Sequence, residues 1–276
     1  MSESSPPPTI SEAEMFAATQ PEKTPWNGWW TLLFGGVLFV VWQIALTLGI
    51  VFIIELDDSV GSELSSKGFS EAAKILATDG DVIGILSFLA VFVICPLCWF
   101  IGKLRPGWDG WEYLGNSPVR WFHWPLWSFI IIFCSILLGL LSPSIGLEEM
   151  DPSMVKMAET TQIPFLLFLG VAIGAPAVEE FIFRGLLFRG WRTSRLGVTG
   201  TIILTSFLWT ILHVQYPSLI LIYLFILGIV IGIAREVTGN LWIPIWMHFV
   251  NNSLAVFAML VSDAKSLEST ACMISY

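Results

Sequence analysis

Glu179, Glu180 and Arg184 lie inside an otherwise apolar run from Pro164 to Trp191, and His213, His248, Asn251 and Asn252 sit in or at the end of two later apolar runs. A charge at membrane depth costs at least ~3 kcal/mol on insertion scales, so three in one run need a reason. Glu180 and Arg184 are four apart, one above the other on a helical face, where they can pair. Glu179 points about 100° away and is left for chemistry. A carboxylate beside imidazoles, shielded from bulk water, can take a proton from a water molecule and aim its oxygen at a carbonyl. The tetrahedral intermediate then needs hydrogen-bond donors, and a histidine and an asparagine amide are suitable. These residue types suit peptide hydrolysis through an activated water, with Arg184 holding Glu180.

Such a site exists only if separate helices bring its residues to one depth. Counting a rise of ~1.5 Å per residue from the ends that carry basic loops, Glu179 lies about 18 Å up from Trp191 and His213 about 22–25 Å up from Leu196–Val198. Asn252 lies about 16 Å and His248 about 10 Å up from Leu241. Glu179, His213 and Asn252 are thus expected in one layer with His248 a turn below. His248 and Asn252 share a face, as do Trp209 and His213, whereas Asn251 is turned off that face and is left out of the core site. The count requires one long helix through Pro164–Trp191. Pro176 should kink it without ending it, since freed carbonyls in membranes find other partners.

The chain of 276 residues is 55% hydrophobic and 13% charged with a mean hydropathy of +0.76, where a soluble domain carries about 25% charge. The fold class is therefore all-α, a polytopic transmembrane helical bundle enclosing a polar intramembrane cavity. The apolar runs are Trp29–Ile54, Val82–Ile101, Trp124–Leu141, Pro164–Trp191, Leu196–Leu212, Leu219–Ala234 and Leu241–Val261, about seven spans. The fifth and sixth are short for a span, which needs about 20 residues. Residues 1–25 are polar, acidic and Pro-rich and read as a disordered tail. Residues 26–262 form the transmembrane domain, with 160–262 carrying the polar motifs, and 263–276 a C-terminal tail. The net charge of −9 excludes a nucleic-acid partner, which would want a basic face.

Lys103, Arg105 and Arg120 fall in one loop, Arg192 and Arg195 in another, and Arg235 follows the sixth run. The loops at 55–81 and 142–162 are rich in Asp and Glu. The positive-inside rule then places the N-terminus in the cytoplasm and the C-terminus outside. Tryptophans at 26, 29, 30, 108, 111, 121, 124 and 191 sit near span ends, as an interfacial belt would. His123, between Trp121 and Trp124, reads as interfacial too. Cys95-Pro96-Leu97-Cys98 has a CxxC spacing but lies inside a span, away from the solvent or further thiols that redox or metal chemistry would need.

Glu179-Glu180-x-x-x-Arg184, then Trp209-x-x-x-His213, then His248-x-x-x-Asn252, in this order in one polytopic chain, resemble the three motifs of the CPBP family. That family is the CAAX-protease and bacteriocin-processing group of intramembrane glutamic endopeptidases. The resemblance covers roughly residues 160–262. It implies Glu179 as general base for the attacking water, His213 as its helper, and His248 and Asn252 as stabilisers of the oxyanion, with no metal and no cofactor. The second motif often has Phe where this chain has Trp209. Family members acting on prenylated CAAX proteins remove the last three residues after the lipidated cysteine. A protein or lipidated-peptide substrate entering from the cytoplasmic side or from lipid is thereby implied.

Two other classes compete. Glu179, His213 and His248 could be zinc ligands, as two histidines and a carboxylate are in soluble metalloproteases, although no His-Glu-x-x-His helix is present. A relative that kept the fold as an immunity or scaffold protein would hydrolyse nothing. A proton-coupled transporter would also use buried acids, but it often shows inverted repeats, and none is visible. The short chain without extra domains points to a bacterial cell membrane, with the endoplasmic reticulum as the other possibility. Substrate and oligomeric state are not legible.

Overall fold

The structure, a computed structural model, describes residues 23–56, 69–141 and 152–274. The tail expected over residues 1–25 lies outside the described residues as far as residue 22, as do residues 57–68 and 142–151 of the two acidic loops. The helices are α1 Gly28–Leu56, α2 Phe69–Leu76, α3 Gly80–Lys103, α4 Gly110–Leu114 and α5 His123–Leu141. They continue as α6 Pro152–Thr160, the composite rod α7 Pro164–Arg192, α8 Gly197–Ile211, α9 Ser218–Thr238 and α10 Trp242–Ile274. Among the described residues the only strand-like feature is an isolated bridge between Asn116 and Asn240.

The chain is a helical membrane bundle. Among the described residues six segments are long and apolar enough to cross a membrane: Gly28–Glu55, Gly80–Lys103, His123–Leu141, Pro164–Arg192, Ser218–Thr238 and Trp242–Val261. The sixth apolar run of the sequence, which looked short, extends to 21 residues in α9. The fifth run is α8, with 15 residues. At ~1.5 Å per residue α8 is about 22 Å long, less than the ~30 Å hydrocarbon core. It stands beside α9 as a shorter element that delivers the second motif.

Short polar contacts set the ends of the rods. Asp79 caps α3 by accepting from Val82 N at 3.0 Å. Asp81, in the first turn of α3, accepts from Gln162 N at 3.1 Å and Ile163 N at 3.0 Å, which ties the start of α7 to the start of α3. The two helices then touch backbone to backbone. A Cβ on Gly84 would collide with the Leu166 carbonyl, and one on Gly170 with Gly84 itself. Small residues permit this closeness, which membrane helices use in place of a hydrophobic driving force.

Basic residues gather at the opposite end of α7. Lys23 Nζ pairs with Glu112 at 2.8 Å, and Arg105 Nε donates to the Thr24 carbonyl at 2.9 Å, so the chain is pinned from Lys23 onward. Arg192 makes a two-pronged pair with Glu236 at 2.6 and 2.7 Å. Arg189 Nε donates to the Tyr113 carbonyl at 2.8 Å. Burial pushes the Tyr113 phenol up to about 12, so it stays neutral and accepts from Trp26 N at 3.3 Å. The basic loops and the start of the described chain thus share one end of the bundle.

Candidate active site

The rod α7 carries the first motif and is not a plain α-helix. A π-helical stretch, Phe168–Gly174, precedes an α-helical turn, Ala175–Glu180, and a second π stretch, Phe181–Leu187, follows it. The wide turn before Pro176 is closed by Ala175 N donating five residues back, to the Gly170 carbonyl. That widening gives the proline ring room where an α-turn would clash, so the expected kink is absorbed without ending the helix. π-Bulges are frequent at functional sites, and here two of them bracket the acidic pair.

The two neighbouring carboxylates have different surroundings. Glu180 is wholly buried, and its Oε1 accepts from Arg184 Nη1 at 3.0 Å and from His248 Nδ1 at 2.9 Å. A carboxylate only accepts, so Nδ1 of His248 is the donor and its Nε2 is turned away from Glu180. Arg184 is also wholly buried; its Nη2 donates to the Gly228 carbonyl at 3.1 Å and its guanidinium lies over the Trp209 ring at 5.3 Å. Glu180, Arg184 and His248 therefore join α7, α9 and α10 at one point.

Glu179 keeps 7% of its surface. Its Oε2 accepts from Trp209 Nε1 and lies 3.9 Å from His248 Nε2. Among the described residues its Oε1 accepts no hydrogen bond. Trp209 is the centre of the arrangement: its ring meets that of His248 at 5.2 Å and that of His213 at 5.1 Å. His213 lies just past α8, with Nδ1 3.0 Å from the Trp209 carbonyl and its ring stacked on Tyr216 at 6.0 Å. The carbonyl can only accept, so Nδ1 carries a proton, and in the neutral ring this leaves the lone pair on Nε2.

The structure brings Glu179, Glu180, Arg184, His248 and, through Trp209, His213 into one cluster. The order in depth differs from the count of residues. His248, expected a turn below the layer, is the residue that reaches both carboxylates. Asn252 lies a turn farther along α10 and donates to the Val171 carbonyl at 2.9 Å. The linear count assumed a uniform rise of ~1.5 Å per residue, which the two π stretches of the composite rod break. The acidic pair is also largely packed over, with Glu180 and Arg184 at 0% exposure and Glu179 at 7%, where a polar intramembrane cavity was expected.

Two contributions escape the sequence. Asn251, set aside for facing the wrong way, donates to Asn252 Oδ1 at 3.1 Å. Arg235, taken only as a loop charge, is buried and donates from Nε to the Arg184 carbonyl at 2.8 Å and from Nη2 to the Leu114 carbonyl at 2.9 Å. It fastens the loop of α4 to the second π stretch. Gly115, which ends α4 with φ +100°, leaves space for that guanidinium. For a metal, both histidine Nδ1 atoms are already engaged, and among the described residues no three His, Cys, Asp or Glu side chains are grouped to hold an ion.

A multi-pass helical membrane protein with an acidic pair and a histidine buried among its helices, and a second histidine and an asparagine amide half-buried near them, defines the class. Residues 161–254 match the family model described as type II CAAX prenyl endopeptidase Rce1-like, so the family resemblance carried by the three motifs is borne out over that region. The chain is 29% identical over 141 residues to "Uncharacterized 24.3 kDa protein" of Escherichia coli, a match covering 48% of this chain and 62% of that one. It is 31% identical over 105 residues to "Uncharacterized protein YpbD" of Bacillus subtilis (strain 168), covering 37% of this chain and 49% of that one. The chain thus spans less than two thirds of either relative's length. No solved structure matches it. The family is one of CAAX-type membrane proteases.

Proposed function

We propose that this protein is an intramembrane endopeptidase in which Glu179 activates a water molecule. The observation that carries the reading is the contrast between adjacent carboxylates. Glu180 is wholly buried, with Oε1 held by both Arg184 and His248 and Oε2 shut away without a partner among the described residues. Glu179 keeps 7% of its surface, is held only through Oε2 by Trp209, and has Oε1 unbonded among the described residues. Oε1 takes a proton from the water as the water oxygen bonds to the scissile carbonyl carbon. The same proton then goes to the leaving amine as the C–N bond breaks. His213, with its lone pair on Nε2, helps hold the water. His248, which already donates from Nδ1 to Glu180, stabilises the forming oxyanion in its doubly protonated form through Nε2–H, together with the Asn252 amide. Arg184 offsets the second negative charge and keeps Glu180 from competing for the proton.

The substrate implied by the family is a membrane-associated protein, a prenylated CAAX chain being the first candidate, with lipids the only other partner invoked. The protein sits in a bacterial cell membrane with its N-terminus and basic loops in the cytoplasm, and substrate enters from that side or from lipid.

The test is cleavage by purified protein in lipid, using a prenylated CAAX peptide and a set of transmembrane peptides, for wild type and Glu179→Gln, each with and without a strong chelator. Cleavage that needs Glu179 and ignores the chelator is expected. Cleavage abolished by the chelator would move the site to the metal reading. Undiminished turnover by folded Glu179→Gln would sink the mechanism.

A further inference from the structure

Asn251 belongs to a file of polar groups that crosses four helices. Tyr223 Oη, on α9, donates to Asn251 Oδ1 at 2.9 Å. Ser135 Oγ, on α5, lies 3.3 Å from the same oxygen and 3.3 Å from the Tyr223 hydroxyl, and shares its one proton with the Ile131 carbonyl at 3.0 Å. Asn251 Nδ2 donates to Asn252 Oδ1 at 3.1 Å, and Asn252 Nδ2 donates to the Val171 carbonyl, on α7, at 2.9 Å.

Each link fixes the next. The Val171 carbonyl can only accept, so the Asn252 NH2 faces it and the Asn252 oxygen faces Asn251. The Asn251 NH2 is then the donor to Asn252, and the Asn251 oxygen takes the Tyr223 hydroxyl. An amide NH2 carries two protons, and the Val171 carbonyl uses one. The second is left for the face that Asn252 shares with His248, one turn away. Without the Asn251 donor, the Asn252 amide is held by the Val171 carbonyl alone and its oxygen loses its partner, so its orientation is less firmly fixed.

We infer that Asn251, itself set by Tyr223, is a positioning residue that holds the Asn252 amide with its free N–H toward the oxyanion; this deepens the proposed peptidase reading and rests on it. Asn251→Asp is the sharp perturbation. An ionised aspartate at this place has no proton to give, so it accepts from Asn252 and draws that amide away from the Val171 carbonyl, at nearly unchanged size but with an added charge. Tyr223→Phe removes only the first donor and leaves the amide partly ordered.

The experiment measures kcat and KM for wild type, Tyr223→Phe, Asn251→Asp, Asn252→Ala and the double variant Asn251→Asp/Asn252→Ala, with folding checked by thermal melting in detergent. Loss of an oxyanion donor lowers kcat about 10²-fold, and that is expected of Asn252→Ala. Asn251→Asp should lose at least about tenfold in kcat at unchanged KM, and Tyr223→Phe less, as partial misorientation of one such donor would give. The double variant should equal Asn252→Ala, because Asn251 acts only through Asn252. A role in packing alone would instead add its loss to that of Asn252→Ala, and additive losses overturn the inference, as does wild-type kcat in Asn251→Asp. A second arm is independent of hydrolysis: the side-chain amide protons of isotope-labelled asparagine, assigned with Asn252→Ala. The Asn252 pair should shift in both Asn251→Asp and Tyr223→Phe, and a pair unmoved in Asn251→Asp overturns the inference. Wild type that cleaves no peptide, with the shifts intact, sinks the peptidase reading and leaves the amide file standing.

Discussion

Replacing Arg184 should undo the acidic pair from beneath, and a double-mutant cycle with Glu180 tells ion pairing from packing. Both side chains are at 0% exposure and their atoms lie 3.0 Å apart. In Arg184→Met the Glu180 carboxylate keeps only the His248 Nδ1 donor at 2.9 Å. Breaking a buried pair from one side costs ~3–5 kcal/mol because the remaining charge is uncompensated. The variant also loses the bond to the Gly228 carbonyl and the contact with the Trp209 face, the latter contributing ~0.5–2 kcal/mol. Those two losses accompany Arg184→Met in any background and cancel in the cycle. Glu180→Gln strands the arginine but keeps an oxygen for His248. The double variant buries no charge, so it should be ~1–3 kcal/mol more stable than the sum of the singles. The assay is equilibrium unfolding of the four proteins in mixed micelles of mild and denaturing detergent. A double variant whose loss matches the sum within ~0.5 kcal/mol would refute the ion-pair reasoning.

Three further outcomes are expected. Trp209→Phe keeps a ring but removes the donor to Glu179; a hydrogen bond to a charged group is worth ~1.5–3 kcal/mol, so kcat should fall about tenfold to a hundredfold with the fold intact, and equal kcat would show that the indole N–H is idle. Arg235→Gln leaves the Arg184 and Leu114 carbonyls without their partner at ~1–3 kcal/mol each, so limited proteolysis should open the loop at 104–122 sooner than in wild type. Gly170→Leu pushes α7 off α3 and should lower stability by the ~1–3 kcal/mol typical of overpacking, read as a lower melting temperature, whereas Gly36→Leu, at a glycine whose added Cβ would meet nothing within 4 Å, should not.

The bundle was legible because lipid demands long apolar runs, and the runs from Trp29, Val82, Trp124 and Pro164 match helices α1, α3, α5 and α7. The pairing of Glu180 with Arg184 was legible for a similar reason, since spacing by four survives small changes in helical pitch. Depth was not. A residue count cannot show that two π stretches reshape α7 around Glu179 or that α10 crosses it so that His248, not Asn252, meets the carboxylates. Asn251 was missed because facing was judged relative to its own helix, while its partner Tyr223 comes from α9 and its neighbour Asn252 bends toward it. A tyrosine and a serine within separate apolar runs were the available signal, as polar side chains between membrane helices commonly hydrogen-bond one another. The inward turn of Arg235 had no local signal, because an arginine at a span end reads as a loop charge until the Gly115 corner beside it is seen.

The two π stretches also explain how neighbouring residues on one helix can serve opposite ends. A π-turn accommodates an extra residue, so whatever lies between two of them is rotated relative to both flanks of the rod. In α7 the outer flanks stay seated: Leu166 against Gly84 of α3 on one side, and Trp191 Nε1 on the Gly28 carbonyl at 3.1 Å on the other. The turn Ala175–Glu180 between them is free to face α8 and α10. Within it, adjacent side chains diverge by about 100°. One carboxylate is thereby aimed at Arg184 and His248, the other at the Trp209 indole. A uniform α-helix holding both flanks would leave less latitude for that aim. Distorting the rod, rather than changing its residues, is what lets two identical side chains in sequence become a structural anion and a candidate base.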